Sequence, residues 1–147
     1  MKSIKIIAAV LVCAFVAVGC GKKMVKDGRV TDTIKQDMVK GSYIEAIGIG
    51  ASDPALPTDT QRKALARDAA IVKAQYELLT LVKGVQIEGG ITVERAMETD
   101  SKLQATVKEC IKGAEIVNTE FTKDGGAVVT LHLPKVRLEQ MMGVKFK

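Results

Sequence analysis

Between residues 43 and 50 the chain alternates strictly: Tyr43, Glu45, Ile47 and Ile49 share one side of an extended segment, and Ile44, Ala46, Gly48 and Gly50 share the other. A period of two predicts a β-strand. Its second side is small, and glycines inside a strand let another backbone or a helix come close. Beyond Pro54 and Pro57, which mark a turn, the period lengthens. Leu65, Ala69, Val72, Tyr76, Leu79 and Val82 recur at steps of three and four, predicting a long helix with that row as its buried stripe. Thr58 and Gln61 have the spacing of a capping box, and Gly84 stands where a C′ glycine closes a helix. Arg62, Lys63, Arg67 and Lys73 fall away from the stripe, on a solvated face.

The second half repeats the alternation in shorter pieces. In "VQIEGGITVER", Val85 and Ile87 match Ile91 and Val93 across a glycine pair, as a bulged strand or a tight hairpin. A second helix is predicted from Ser101, with Ser101 and Gln104 as a capping box, Leu103, Val107, Cys110 and Ile111 as its apolar face, and Gly113 as its stop. "AEIVNTEFTKDGGAVVTLHLP" is two alternating runs around a turn, a β-hairpin ended by Pro134. A three-residue loop, Asp124-Gly125-Gly126, pairs Phe121 with Val129, Thr119 with Leu131 and Val117 with Leu133. That register collects the large apolar side chains on one face, leaving Ile116 and Val128 as exceptions and placing His132 opposite Asn118. Each large aliphatic side chain buried contributes about 1.5–3 kcal/mol, which favours it over a two-residue loop that mixes the faces. The fold class expected is α+β: a small antiparallel or mixed sheet of three to four strands packed against two helices, with a C-terminal β-hairpin.

The N-terminus follows a different pattern. Lys2 and Lys5 precede the uncharged apolar run Ile6 to Val18, and Gly19, Cys20 and two lysines end it. Thirteen apolar residues are too few for a span of about 20 and fit the h-region of a secretory leader. Ala17-Val18-Gly19-Cys20 resembles the lipobox of bacterial lipoproteins, with alanine in place of the usual leucine. This implies cleavage before Cys20 and acylation of its thiol. An ordinary leader with an incidental cysteine is the alternative. Two or three acyl chains hold a protein on a bilayer far more firmly than one. Gly21 rather than aspartate after the cysteine favours the outer membrane. The organisation expected is a signal peptide over 1–19, a lipidated Cys20 with a mostly flexible tether over 20–41, and one domain over 42–147. About 20 flexible residues reach roughly 25 Å.

Composition narrows the chemistry. Loss of Lys2 and Lys5 with the leader lowers the net charge from +5 to +3, with no basic stripe interleaved with aromatics, so nucleic acid is not an expected partner. Cys13 leaves with the leader and Cys20 is acylated, so Cys110 stands alone and reads as a small buried hydrophobe. "GIGASD" lacks the third glycine and the immediate helix of a dinucleotide fingerprint. His132 is the sole histidine. Without a cluster at ligand spacing it is not a metal site, nor does it form a nucleophile–base pair with Cys110. No catalytic residue, metal or cofactor is expected, and the chain is not read as an enzyme.

In order, "YIEAIGIGA", "ARDAAIVKAQYELLTLVKGVQI" and "CIKGAEIVNTEFTKDGGAVVTLHLP" resemble the Lpp-twenty family of bacterial lipoproteins over roughly residues 43 to 134. The features are a strand ending in Gly-x-Gly, an Ala-Arg-x-x-Ala helix (Ala66, Arg67, Ala70), a Val-x-Gly exit and an Asp-Gly hairpin. The resemblance implies a compact α+β domain with no catalytic residues, Cys20 as its one functional position, and, for flagellar members, assembly into rings beneath the outer membrane. The expected function is therefore an outer-membrane-anchored structural lipoprotein on the periplasmic face. It would be held to the membrane by its lipid, self-associating as a homo-oligomer, with flagellar or other envelope proteins as partners. A periplasmic module that binds a small ligand, a peptide or cell-wall material in a groove along Gly48 and Gly50 is the rival reading. Candidate contact surfaces are the exposed face of the C-terminal hairpin, the basic face of the long helix, and the apolar tail Leu138, Met141, Met142 and Phe146.

Overall fold

The computed structural model describes residues 23–31, 38–39 and 41–147. Ten elements follow in chain order: β1 (Val25–Lys26), β2 (Arg29–Val30), β3 (Met38–Val39), β4 (Tyr43–Gly50), α1 (Asp59–Gly84), α2 (Val93–Thr99), α3 (Ser101–Lys112), β5 (Glu115–Phe121), β6 (Ala127–Pro134) and α4 (Lys135–Met142). Strands β1 and β2 form a two-stranded hairpin, and the other four form an antiparallel sheet in the order β3-β4-β6-β5. The class is α+β, as the periodicities predict.

The alternation of β4 sets the layers. Ile44, Ala46, Gly48 and Gly50 stand opposite Leu133, Leu131, Val129 and Ala127 of β6, and this face lies under α1. The contact is closer than side chains allow. A Cβ built on Gly48 would lie 1.9 Å from the Ala70 carbonyl oxygen and 2.5 Å from the Ala74 nitrogen; one on Gly50 would lie 1.9 Å from the Ala66 oxygen. Against such a surface the helix must turn its own small residues inward. Its buried row is Ala66, Ala70, Ala74, Leu78 and Val82. The expected stripe holds at Val82 and in part at Leu79 but is corrected before them: Leu65, Val72 and Tyr76 remain 47%, 65% and 62% exposed, because a large residue facing Gly48 would push the helix off the strand.

Thr58 caps α1 as expected, accepting from the Gln61 N–H at 3.2 Å. The exit differs: the helix runs through Gly84, and Val85 in extended backbone is its C-cap, so no left-handed glycine ends it. Gln86 to Thr92 form the tight hairpin of the two arrangements open from sequence, with Ile87 N–H donating to the Ile91 carbonyl and positive φ at Gly89 and Gly90. Val93 then opens α2 under a Thr92 cap. Asp100, not Ser101, caps α3, its carboxylate accepting from the Lys102 and Leu103 N–H groups. Val107, Cys110 and Ile111 are buried on α3, and Gly113 ends it.

The β5–β6 hairpin keeps a three-residue loop with a left-handed glycine, but one position earlier than expected. Phe121 pairs with Ala127, Thr119 with Val129 and Asn118 with Thr130, so the loop is Lys123-Asp124-Gly125, with Gly125 at φ +84. Past a bulge between Ile116 and Asn118, Ile116 stands opposite Leu131, the place expected for Thr119, and both Ile116 and Val117 remain exposed. His132 consequently faces Glu115 and Glu45, not Asn118. Pro134 ends β6, and the chain turns into α4. Leu138 is fully buried, and Met142, Val144 and Phe146 pack on the same core, so most of the apolar tail belongs to its own domain.

Candidate functional site

Cys20, the one functional position expected from sequence, lies outside the described residues. The nearest described chain is the β1–β2 hairpin. Asp27 and Gly28 both have positive φ, 53° and 77°, the two-residue turn that Asp-Gly favours between twisted strands. Val25 pairs with Val30 and both are half-buried; Lys26 pairs with Arg29 and both are exposed. Within 20–41, where the pattern predicts a mostly flexible tether, these residues are fixed to the domain. The Glu120 carboxylate accepts from the N–H of Met24 at 2.8 Å and of Val25 at 2.7 Å, and Lys123 N–H donates to the Gly28 carbonyl at 2.9 Å. Asn118 Nδ2 adds a third donor to Glu120, at 2.7 Å. Partial burial works against the Glu120 charge, but the donors from Met24, Val25 and Asn118, with the Lys23 charge nearby, outweigh it and hold the carboxyl below its usual range. Glu120 and this hairpin are missed by a reading of apolar periods. The available signal is Asp27-Gly28 with valine on either side.

On the same outer face of the sheet, the Tyr43 and His132 rings stack with centroids 4.1 Å apart, and His132 Nε2 lies 2.5 Å from Glu45 Oε2. The outer face also holds Ile47, Val128 and Thr130, all buried. This is a polar cluster within a packed surface. Among the described residues no group of three or more histidine, cysteine, aspartate or glutamate side chains is placed to hold a metal ion. Cys110 is fully buried with its Sγ 3.2 Å from Met141 Sδ, and burial pushes its thiol pKa up against the opposing pull of Arg137. A protonated, enclosed thiol is a poor nucleophile.

The two exposed surfaces of α1 differ. The basic face is neutralised locally: Lys63 lies 2.7 Å from Asp59, Lys73 2.7 Å from Glu77, Arg62 4.0 Å from Asp59 and Arg67 3.9 Å from Asp68. Such exposed pairs stabilise little, but they leave little net field for an acidic partner. The other flank is the apolar row that the core rejects, Leu65, Val72 and Tyr76, with Ala69 among them and Lys73 Nζ 5.3 Å from the Tyr76 ring centre. The groove expected along Gly48 and Gly50 is filled by α1 itself. No helix among the described residues is long and apolar enough to cross a membrane.

Comparison of the chain with protein-family models, curated proteins and solved structures finds no match.

Proposed function

We propose that the chain is an outer-membrane structural lipoprotein, anchored by acylation of Cys20 and associating laterally with its own copies in the envelope, in a flagellar basal disk or a related motility assembly. The observation that carries the assembly reading is the exposed row Leu65, Val72 and Tyr76 on α1. Three large apolar side chains on one flank of a helix are an interaction surface rather than scattered exposure. Two-dimensional confinement raises the effective concentration of neighbours, so a modest face suffices. The rival reading, a periplasmic binding module, loses its argument because α1 occupies the surface over Gly48 and Gly50.

Two measurements test this. Mass spectrometry of the native protein should find Cys20 as an acylated N-terminus; an intact leader or an unmodified cysteine sinks the anchor. Light scattering of the lipid-free domain should find oligomers that grow with concentration, and Val72→Glu with Tyr76→Glu should return it to a monomer. A monomeric wild-type domain with a co-purifying ligand reverses the order of the two readings. Motility and basal-body images of a deletion strain then decide between the flagellar role and another envelope role.

A further inference from the structure

The fixed hairpin changes where the domain sits. If twenty residues after Cys20 were free, the domain would stand roughly 25 Å off the bilayer. Met24, however, is already bonded to the sheet through Glu120. Only Gly21, Lys22 and Lys23 separate it from Cys20, and four fully extended residues span about 14 Å. The surface around β1 and β2 is therefore confined to the headgroup region of whatever bilayer holds the Cys20 acyl chains.

That surface is cationic by construction. The Val25–Val30 pair is half-buried, which leaves Lys26 and Arg29 exposed. Lys23 is exposed just before them. Lys123 joins from the β5–β6 loop: its exposed side chain runs beside Gly28, where a Cβ would meet the Lys123 Cγ at 2.1 Å. Among the described residues the nearby acids are Asp27 in the turn, Asp124, which accepts from the Thr122 hydroxyl, and Glu120, which is engaged by Met24, Val25 and Asn118. Among the described residues, Lys26 and Arg29 are not closed into ion pairs of the kind that neutralise α1.

We infer that Lys23, Lys26, Arg29 and Lys123 form a docking surface for anionic phospholipid headgroups, and that the domain lies directly on the bilayer instead of swinging above it. The inference rests on acylation of Cys20. Basic residues next to a lipid anchor add to membrane attachment, and salt screens the effect over about 10 Å at 0.1 M.

The acylated protein, reconstituted in nanodiscs, tests this. A nitroxide on Asp27→Cys reports the hairpin, and one on Glu88→Cys reports the turn after α1; Cys110 is buried and stays unlabelled. With phosphatidylglycerol present, the label at position 27 should contact headgroups and the label at position 88 should not. Added salt should weaken the first contact, and Lys26→Glu with Arg29→Glu should weaken it roughly tenfold. Amide exchange at Met24 and Val25 checks that the variant hairpin remains seated. A label at position 27 as remote from lipid as the one at position 88 overturns the proposal. So does contact indifferent to lipid charge and salt. Both results leave the anchor reading intact, whereas a native chain without acyl groups at Cys20 sinks both.

Discussion

The two faces of the sheet are held by different physics. On the inner face, backbone meets backbone: Gly48 and Gly50 lie against the Ala66–Ala74 stretch of α1 with no space for one added carbon. On the outer face, the hairpin nearest the N-terminus is fixed by the ionised carboxylate of Glu120 and one main-chain bond to Gly28. The inner contact is insensitive to pH and intolerant of volume. The outer one tolerates volume where Lys123 yields, and depends on charge. One sheet thus carries a permanent layer and a releasable one.

Substitutions separate the two. The largest effect is expected from Gly48→Ala, whose methyl would fall on the Ala70 carbonyl. Displacing the helix should cost about 3 kcal/mol, seen as a lower urea midpoint for the whole domain. An unchanged midpoint would show that the layers are not locked there. Glu120→Ala should act locally instead. Loss of its bonds to Met24 and Val25 removes about 2 kcal/mol from hairpin docking, a roughly 30-fold loss of amide protection at Val25 with little change in the core. Acid should mimic it. A carboxyl with a lowered folded pKa contributes stability that is fully present above the unfolded value of about 4.3 and is lost as pH falls through the folded value. Hairpin protection should therefore fade below about pH 4, before the core opens.

Gly28→Ala sharpens the contrast. Its left-handed φ of 77° costs an L-residue about 1 kcal/mol, and the blocking group is a flexible lysine rather than backbone. The hairpin alone should loosen. Smallest of all, Val72→Glu should move stability by less than about 0.5 kcal/mol while abolishing self-association, since that side chain supports neither layer.

How much of this was legible follows the same division. The strand with a small side, the Thr58 cap, the α3 face with Cys110 and the three-residue hairpin loop are all visible as local patterns. The buried side of α1 is not, because ranking residues by size assumes an ordinary partner. Opposite glycine, alanine is the residue that fits, and Leu65, Val72 and Tyr76 are left outside. The β5–β6 register shifts because the loop falls one position earlier than the glycine pair suggests, and a bulge at Val117, absent from any alternation rule, then moves Ile116 opposite Leu131. The hairpin nearest the N-terminus escapes for a third reason. Two-residue strands have no period to read, and their hold comes from Glu120, some 95 positions away.

The order of the strands has a kinetic consequence. The central partners β4 and β6 come from distant parts of the sequence, with Ala46 opposite Leu131 and Ile44 opposite Leu133. During synthesis β4 emerges with only the short β3 paired beside it, long before β6 exists, and α1 is the first layer that can cover it. Closing so large a loop makes refolding slower than that of a fold built from local contacts. In that interval the newborn chain is a helix leaning on β4 and its short partner β3, accessible to any factor that recognises nascent polypeptides before β6 closes the sheet.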